Sequence, residues 1–339
     1  MSARKIRLPG MVAFLVVSLL VLTTRFGPVQ LAHAQTSWPT HYFAPYNFDP
    51  SHQTDLVALS QKTGTKFFTL AFIINDKLKA CQASWNAIQP IGSWMQSRIS
   101  ALQAAGGDVS ASFGGASGKE VADSCSTVSS LEAQYQSVIT TYNLTHLDFD
   151  IEGKTLSDTK GNDRRNKAIA ALQAANSQLV VSYTLSVNVT SLPQPEINLL
   201  QNAMQNGVNI RVVNIMVMDY YSKNAPGNQM GQNAIKAANS TYKQLHALYP
   251  SKSASELWEM LGLTPMIGMN DDHKEIFTLD DAQTVLNFAQ QQNITLLSFW
   301  DVQRDHQCDH GQKPPNNCTG VKQEPYQYDQ TFAPFTGMM

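Results

Sequence analysis

Along the chain, short runs rich in β-branched and aromatic residues alternate with stretches whose apolar residues recur every three or four positions. Eight runs read as strands: HYFAPYNF (41–48), KFFTLAFI (66–73), DVSASF (108–113), THLDFDIE (145–152), QLVVSYTLSV (178–187), RVVNIMVMDY (211–220), LGLTPMIGM (261–269) and ITLLSFWDV (294–302). Between most of them the spacing is helical. Met95, Ile99 and Leu102 share one face, as do Leu131, Tyr135, Val138 and Tyr142, and Ile235, Ala238, Tyr242 and Leu245. Thr278 with Asp281 reads as a capping box that opens the helix before the last strand. Strand and helix alternating about eight times in roughly 300 residues is the pattern of an α/β fold of the (β/α)8 TIM-barrel type, a single domain. An open doubly wound sheet is the competing architecture, but no glycine-rich phosphate loop follows the first strand.

Composition separates the start of the chain from the rest. The full length is 339 residues, 43% of them hydrophobic, enough for a sizeable core. In the first 34, Arg4, Lys5 and Arg7 precede an uncharged apolar run from Met11 to Leu22, and Ala32-His33-Ala34 follows. That order is the signature of a secretory signal peptide cleaved after Ala34. The apolar run is shorter than the roughly 20 residues of a membrane span, and Arg25 interrupts any extension. The expectation is a leader over 1–34, a catalytic domain over 35–339, and a secreted, extracellular protein with no membrane attachment after cleavage. Without Arg4, Lys5, Arg7 and Arg25, 20 basic residues face 26 acidic ones. This net charge of about −6 argues against nucleic acid as a partner.

Four cysteines lie in the exported part, where disulfides are the default. Cys308 and Cys318 flank DHGQKPPNN, a loop with two prolines and a glycine, and are expected to pair, leaving Cys81 for Cys125. A metal site built from Cys308, Cys318, His306 and His310 is the alternative, but no C-x-x-C spacing supports it. No cofactor is expected.

The chemistry concentrates in LDFDIEG (147–153). Alternation puts Asp148, Asp150 and Glu152 on one strand face, successive acids roughly 6.6 Å apart, and Leu147, Phe149 and Ile151 on the other. In a barrel the acids point inward, and buried carboxylates require partners. Lys66 and Arg211 stand at the amino ends of their strands, the wrong end for Glu152, so partners look few. The remaining solution is proton sharing: crowding raises at least one pKa and keeps an acid protonated near neutrality, able to act as a proton donor. An inward polar network without catalysis is the bland alternative. Other functional candidates fall at carboxyl ends of strands as well: Ser112-Phe113-Gly114-Gly115, Asp219 and Tyr220, Asn270 and Asp271, and Trp300.

LDFDIEG following SFGG resembles glycoside hydrolase family 18, the chitinases and their relatives, whose fourth strand reads D-x-x-D-x-D-x-E after a third-strand S-x-G-G. The likeness covers essentially the whole mature chain. NIMVMDYY is similar to the strand-six segment, and LSFWDVQRD to the strand-eight segment, of a bacterial and archaeal chitinase branch. The resemblance implies that Glu152 protonates the glycosidic oxygen. Asp150 then stabilises the ring-closed intermediate formed when the substrate's acetamido oxygen attacks C1, and Asp148 shares a proton with Asp150. Such hydrolysis is substrate-assisted and needs no enzyme nucleophile.

Two departures stand out. Thr145 replaces the first aspartate of the motif, and strand six reads Met216-Val217-Met218-Asp219-Tyr220 where the family has Met-x-Tyr-Asp. Alternation turns Tyr220 inward with Met216 and Met218, which makes it the ligand to the acetamido carbonyl, while Asp219 needs a twist at the strand end to reach the site. Trp300 at the barrel mouth suits sugar stacking. Asp271 is either a contact to a substrate hydroxyl or a cap on the next helix. Gly114 and Gly115 let backbone approach strand four or the substrate, and Tyr46 lines the cleft or packs in the core.

The function so implied is a secreted, monomeric chitinase that binds chitin or N-acetylglucosamine oligosaccharides and cleaves their β-1,4 linkages with retention. An endo-β-N-acetylglucosaminidase acting on the chitobiose core of glycans shares the acidic strand. A chitin-binding lectin shares the barrel, but such proteins typically lose the acid, and Glu152 is present. Loops 222–232 and 304–323 are candidates for shaping the cleft walls. Asn143, Asn188, Asn239, Asn293 and Asn317 lie in glycosylation sequons.

Overall fold

The computed structural model describes residues 36–49, 54–93 and 95–337. The expected leader, 1–34, lies outside them. Eight parallel strands close into a barrel. Strand one has two arms parted by Pro45, which lacks the N–H a ladder needs: Tyr42–Phe43 pairs with strand eight (Leu296–Leu297), and Tyr46–Phe48 pairs with strand two (Phe67–Asn75). Between them run Asp108–Gly114, His146–Asp150, Val180–Ser186, Ile210–Met216 and Leu261–Thr264, each hydrogen-bonded to the next.

All eight expected strands are present, and their ends differ from expectation where backbone chemistry intervenes. Strand six stops at Met216 rather than Tyr220. Strand seven stops before Pro265, and Gly268–Met269 turns away to form a two-stranded ribbon with Ile276–Phe277. Strand two runs on past Ile73 into a hairpin, Ala83–Trp85 and Gln89–Pro90, that its pattern does not announce.

Helices cover the outside. Phe149 is fully buried on the outer face of strand four, stacked on Phe113 (5.4 Å between centroids) and edge-on to Tyr135 (5.3 Å). Tyr135 belongs to the helix Val128–Tyr142, whose predicted face of Leu131, Tyr135, Val138 and Tyr142 is buried throughout. Burying each such side chain contributes about 1.5–3 kcal/mol, which commits the opposite face of strand four to the barrel interior. The Thr278–Asp281 capping box forms as expected, and the second oxygen of Asp281 accepts from Gly231 N at 2.8 Å, tying helix Leu279–Gln292 to helix Met230–Leu248.

Cys81 pairs with Cys125 and Cys308 with Cys318. The first bridge ties the strand-two hairpin to the segment after strand three. The second consumes the two thiols that a metal site at the proline loop would need. Each contributes on the order of 2–4 kcal/mol by restricting the unfolded chain. Among the described residues no helix is long and apolar enough to cross a membrane.

Candidate active site

Strand pairing brings hydroxyls around Asp148. Ser112 and Ser182 lie beside it in register on either side, Thr184 is paired with Asp150, and Tyr46 reaches in from strand one. Ser112 Oγ (2.7 Å) and Tyr46 Oη (2.8 Å) donate to one carboxylate oxygen of Asp148, and Ser182 Oγ (2.6 Å) and Thr184 Oγ1 (2.8 Å) donate to the other. The expectation that partners are few is therefore corrected for this acid. Neutral hydroxyls from three other strands do what cations would, and they fill the four lone-pair positions of a carboxylate. Burial, at 2% exposure, lifts the Asp148 pKa, and the four donors pull it back. No hydrogen bond joins Asp148 to Asp150 among the described residues, so the expected proton sharing is not seen as a direct contact.

Asp150 is the contrasting case. It is 4% exposed, its Oδ1 has no hydrogen-bond partner, and burial together with the charges of Glu152 and Asp148 pushes its pKa well above the ordinary value. Glu152, half-buried at the strand end, is pushed up to about 7 by burial and by Asp219. Burial and the neighbouring carboxylates thus hold both Asp150 and Glu152 toward the protonated form.

Asp150 and Glu152 open into a cavity of about 640 Å³ at the carboxyl end of the barrel. Tyr46, Met218, Asp219, Tyr220, Asp271 and Trp300 also line it, so the structure brings these sequence candidates together. Trp300 is stacked on Phe72 (5.6 Å between centroids, 14° between planes) and lies 5.6 Å from Phe48, forming an aromatic wall. Phe72 and Phe48 escaped the sequence reading because nothing distinguishes one aromatic residue of KFFTLAFI or HYFAPYNF from another.

The end of strand six needs a correction. Beyond Met216 the chain leaves the ladder, so simple alternation does not place Tyr220. The twist that Asp219 requires is present, with φ +47° at Asp219 and +48° at Tyr221. Through it both Asp219 and Tyr220 face the cavity. Tyr220 is 6% exposed, and its hydroxyl has no partner. Asp219 Oδ1 accepts from Asp272 N at 2.9 Å.

Three further candidates settle differently. Gly114 does not line the cavity: at φ +107°, a Cβ there would collide with the Asp150 carbonyl oxygen, and Gly115 N donates to that oxygen at 2.9 Å. The glycine pair seats strand four, and only glycine permits the approach. Asp271 is exposed at the cavity and caps no helix, since Thr278 caps the one that follows. Thr145 sits at the amino side of strand four, bonded to His146 Nδ1 at 2.9 Å, outside the cavity. Nor do loops 222–232 and 304–323 contribute walls; Tyr221, Ala116, Ser117, Asn188 and Pro193 do so instead. The first loop folds back so closely that Gly227 has no room for a Cβ beside Lys274, and within the second Arg304 donates inward to the carbonyls of Ile267 and Met269.

Crowded acids at the carboxyl end of barrel strands, facing an aromatic-walled cavity, define the class as a (β/α)8-barrel glycoside hydrolase. No model of a known protein family matches the chain. It is 36% identical over 313 residues to a probable bifunctional chitinase/lysozyme of Escherichia coli, an alignment that covers 88% of this chain and 35% of that protein. It is 35% identical to Endochitinase 11 of Metarhizium anisopliae, over 79% of this chain and 53% of that one. The chain thus spans between about a third and a half of these relatives. The crystal structure of the catalytic domain of a hyperthermophilic chitinase from Pyrococcus furiosus is 35% identical, with TM-score 0.82, covering 90% of this chain and 99% of that one. Chitinases of family 18 at 12–16% identity share the fold, with TM-scores of 0.50–0.53. The chain belongs to glycoside hydrolase family 18, the chitinase family.

Proposed function

We propose that the protein is a secreted chitinase that hydrolyses β-1,4 linkages between N-acetylglucosamine units with retention, the substrate's acetamido group serving as nucleophile. One observation carries the reading: two residues that line the cavity carry buried polar atoms without protein partners, Asp150 its Oδ1 and Tyr220 its hydroxyl. An unpaired buried polar group is costly, and an N-acetyl group offers the complement of both, an N–H for Asp150 and a C=O for Tyr220.

Held in that way, the acetamido oxygen attacks C1 while Glu152 gives its proton to the glycosidic oxygen, and the C1–O bond breaks. A water molecule, losing its proton to Glu152, then attacks C1 from the vacated face. The ring-closed intermediate opens with the original configuration restored. Names of the relatives support the substrate class, as does the Pyrococcus furiosus chitinase, crystallised in complex with chito-oligosaccharides. The test is to express the full chain, read the N-terminus of protein recovered from the medium, and incubate it with chitin oligosaccharides and with a high-mannose glycopeptide. A chain beginning at Gln35 that cleaves the oligosaccharides is expected. Cleavage of the glycopeptide alone would mark a glycan-core endoglycosidase, and binding without cleavage would mark a lectin.

The mechanism carries a pH signature. Glu152 acts only while protonated, so kcat/KM should fall as pH rises through about 7. Asp219→Asn removes the like charge that helps hold the Glu152 proton, and the alkaline limb should move to lower pH. A limb that stays in place in Asp219→Asn would remove Asp219 from the account.

A further inference from the structure

Glu275 stands 55 positions from Tyr220 in sequence, on the loop that joins the two ribbon strands Gly268–Met269 and Ile276–Phe277 after strand seven, and it is 2% exposed. Its two carboxylate oxygens have separate partners: one accepts from Tyr220 N at 3.1 Å and the other from Tyr221 N at 3.0 Å. Consecutive N–H groups that converge on one anion form a backbone nest. Among the described residues no cation is in ion-pair contact with Glu275. A buried carboxylate held by backbone N–H groups alone is an expensive way to stabilise a loop.

The loop makes more contacts with the same turn. Asn270, fully buried, accepts from Asp219 N at 3.3 Å through its side chain, and its own N–H donates to the Glu275 carbonyl at 2.9 Å. Asp272 N donates to the Asp219 carboxylate at 2.9 Å. The turn so clamped holds two non-glycine residues in the left-handed region, Asp219 and Tyr221, on either side of Tyr220. Such a conformation persists only where its surroundings over-determine it. Tyr220, whose hydroxyl is unpartnered, is the residue that this clamp delivers to the cavity wall.

We propose that Glu275 is a positioning residue for hydrolysis: by receiving the Tyr220 and Tyr221 N–H groups it presets the Tyr220 hydroxyl for the substrate's acetamido carbonyl. The inference rests on the proposed role of Tyr220 and adds that the loop after strand seven sets it. Because a displacement of about 1 Å can cost 10²-fold in rate, the effect should appear in kcat more than in KM.

A double-mutant cycle on the full chain with a chitin oligosaccharide substrate tests it. Tyr220→Phe should lower kcat by about 10²-fold, the scale of losing one preorganised donor. Glu275→Gln, which keeps the shape but faces one N–H with an NH2 group, should lower kcat about tenfold with KM within about twofold. The double variant should be no slower than Tyr220→Phe alone, since without its hydroxyl there is nothing left to position. Losses that multiply in the double variant would overturn the inference and leave the role of Tyr220 standing. A silent Tyr220→Phe would overturn the reading of Tyr220 itself. If Glu275→Gln does not fold, as judged by circular dichroism, the same cycle is run with Glu275→Asp, which keeps the charge and withdraws the carboxylate by one methylene.

Discussion

Glu152→Gln is expected to lower turnover by about 10²-fold or more, the scale of losing a general acid, while oligosaccharide binding stays close to wild type. The amide preserves the shape of the side chain at the strand end, so the aromatic wall and the Asp150–Tyr220 pair remain available to the sugar. What disappears is the proton. The same substitution should also stabilise the fold at alkaline pH. Glu152 has a folded pKa of about 7 against an ordinary value of 4.5. Between those limits the folded chain keeps a proton that the unfolded chain has released, and stability falls as pH rises. Removing the group recovers up to about 3 kcal/mol at pH 8. Thermal melts and single-turnover assays of the same preparation check both halves. Full activity in Glu152→Gln would return attention to Asp219 and Asp271, the acids lining the cavity that have no assigned role in proton transfer.

Asp150→Asn should also cut turnover about 10²-fold or more, although Asp150 is not the acid. Its Oδ1 is buried without a protein partner, and although burial and neighbouring charge hold the side chain toward the protonated form, the carboxylate it becomes on giving up that proton is the group able to balance the positive charge that develops as the acetamido ring closes. An asparagine can still accept an N–H bond but offers no negative charge. The companion expectation concerns substrate: cellulose oligosaccharides, which lack the N-acetyl group, should not be hydrolysed by the wild-type chain. A covalent sugar adduct trapped on Asp148 or Asp150 in a rapid-quench experiment would refute substrate assistance, because it would make an enzyme carboxylate the nucleophile.

Much of the architecture was legible because strand and helix periodicity are local. Each of the eight runs needs only its own residues to declare two faces, and the two faces of LDFDIEG are those of strand four. The disulfide pairs were legible for the same reason, since the proline loop fits Cys308 and Cys318 to each other and leaves one pair over. Strand ends were not. Whether Met218 to Tyr220 continue the ladder depends on what strand seven offers, and that strand breaks at Pro265.

The sequence by itself determined which acids share a face and that several of its polar and aromatic candidates fall at the carboxyl ends of strands, because alternation and strand order are local and decide both before any contact forms. Only the tertiary structure decided how those groups differ in charge. Asp148 is caged by hydroxyls from strands one, three and five, Asp150 is left with a bare oxygen, and Glu152 is raised by an acid from beyond strand six. Likewise, only closure of the barrel brought Phe72 against Trp300 and Glu275 beneath Tyr220. The physical reason is that burial and hydrogen bonding depend on neighbours in space, and in a barrel those neighbours come from strands tens of residues apart.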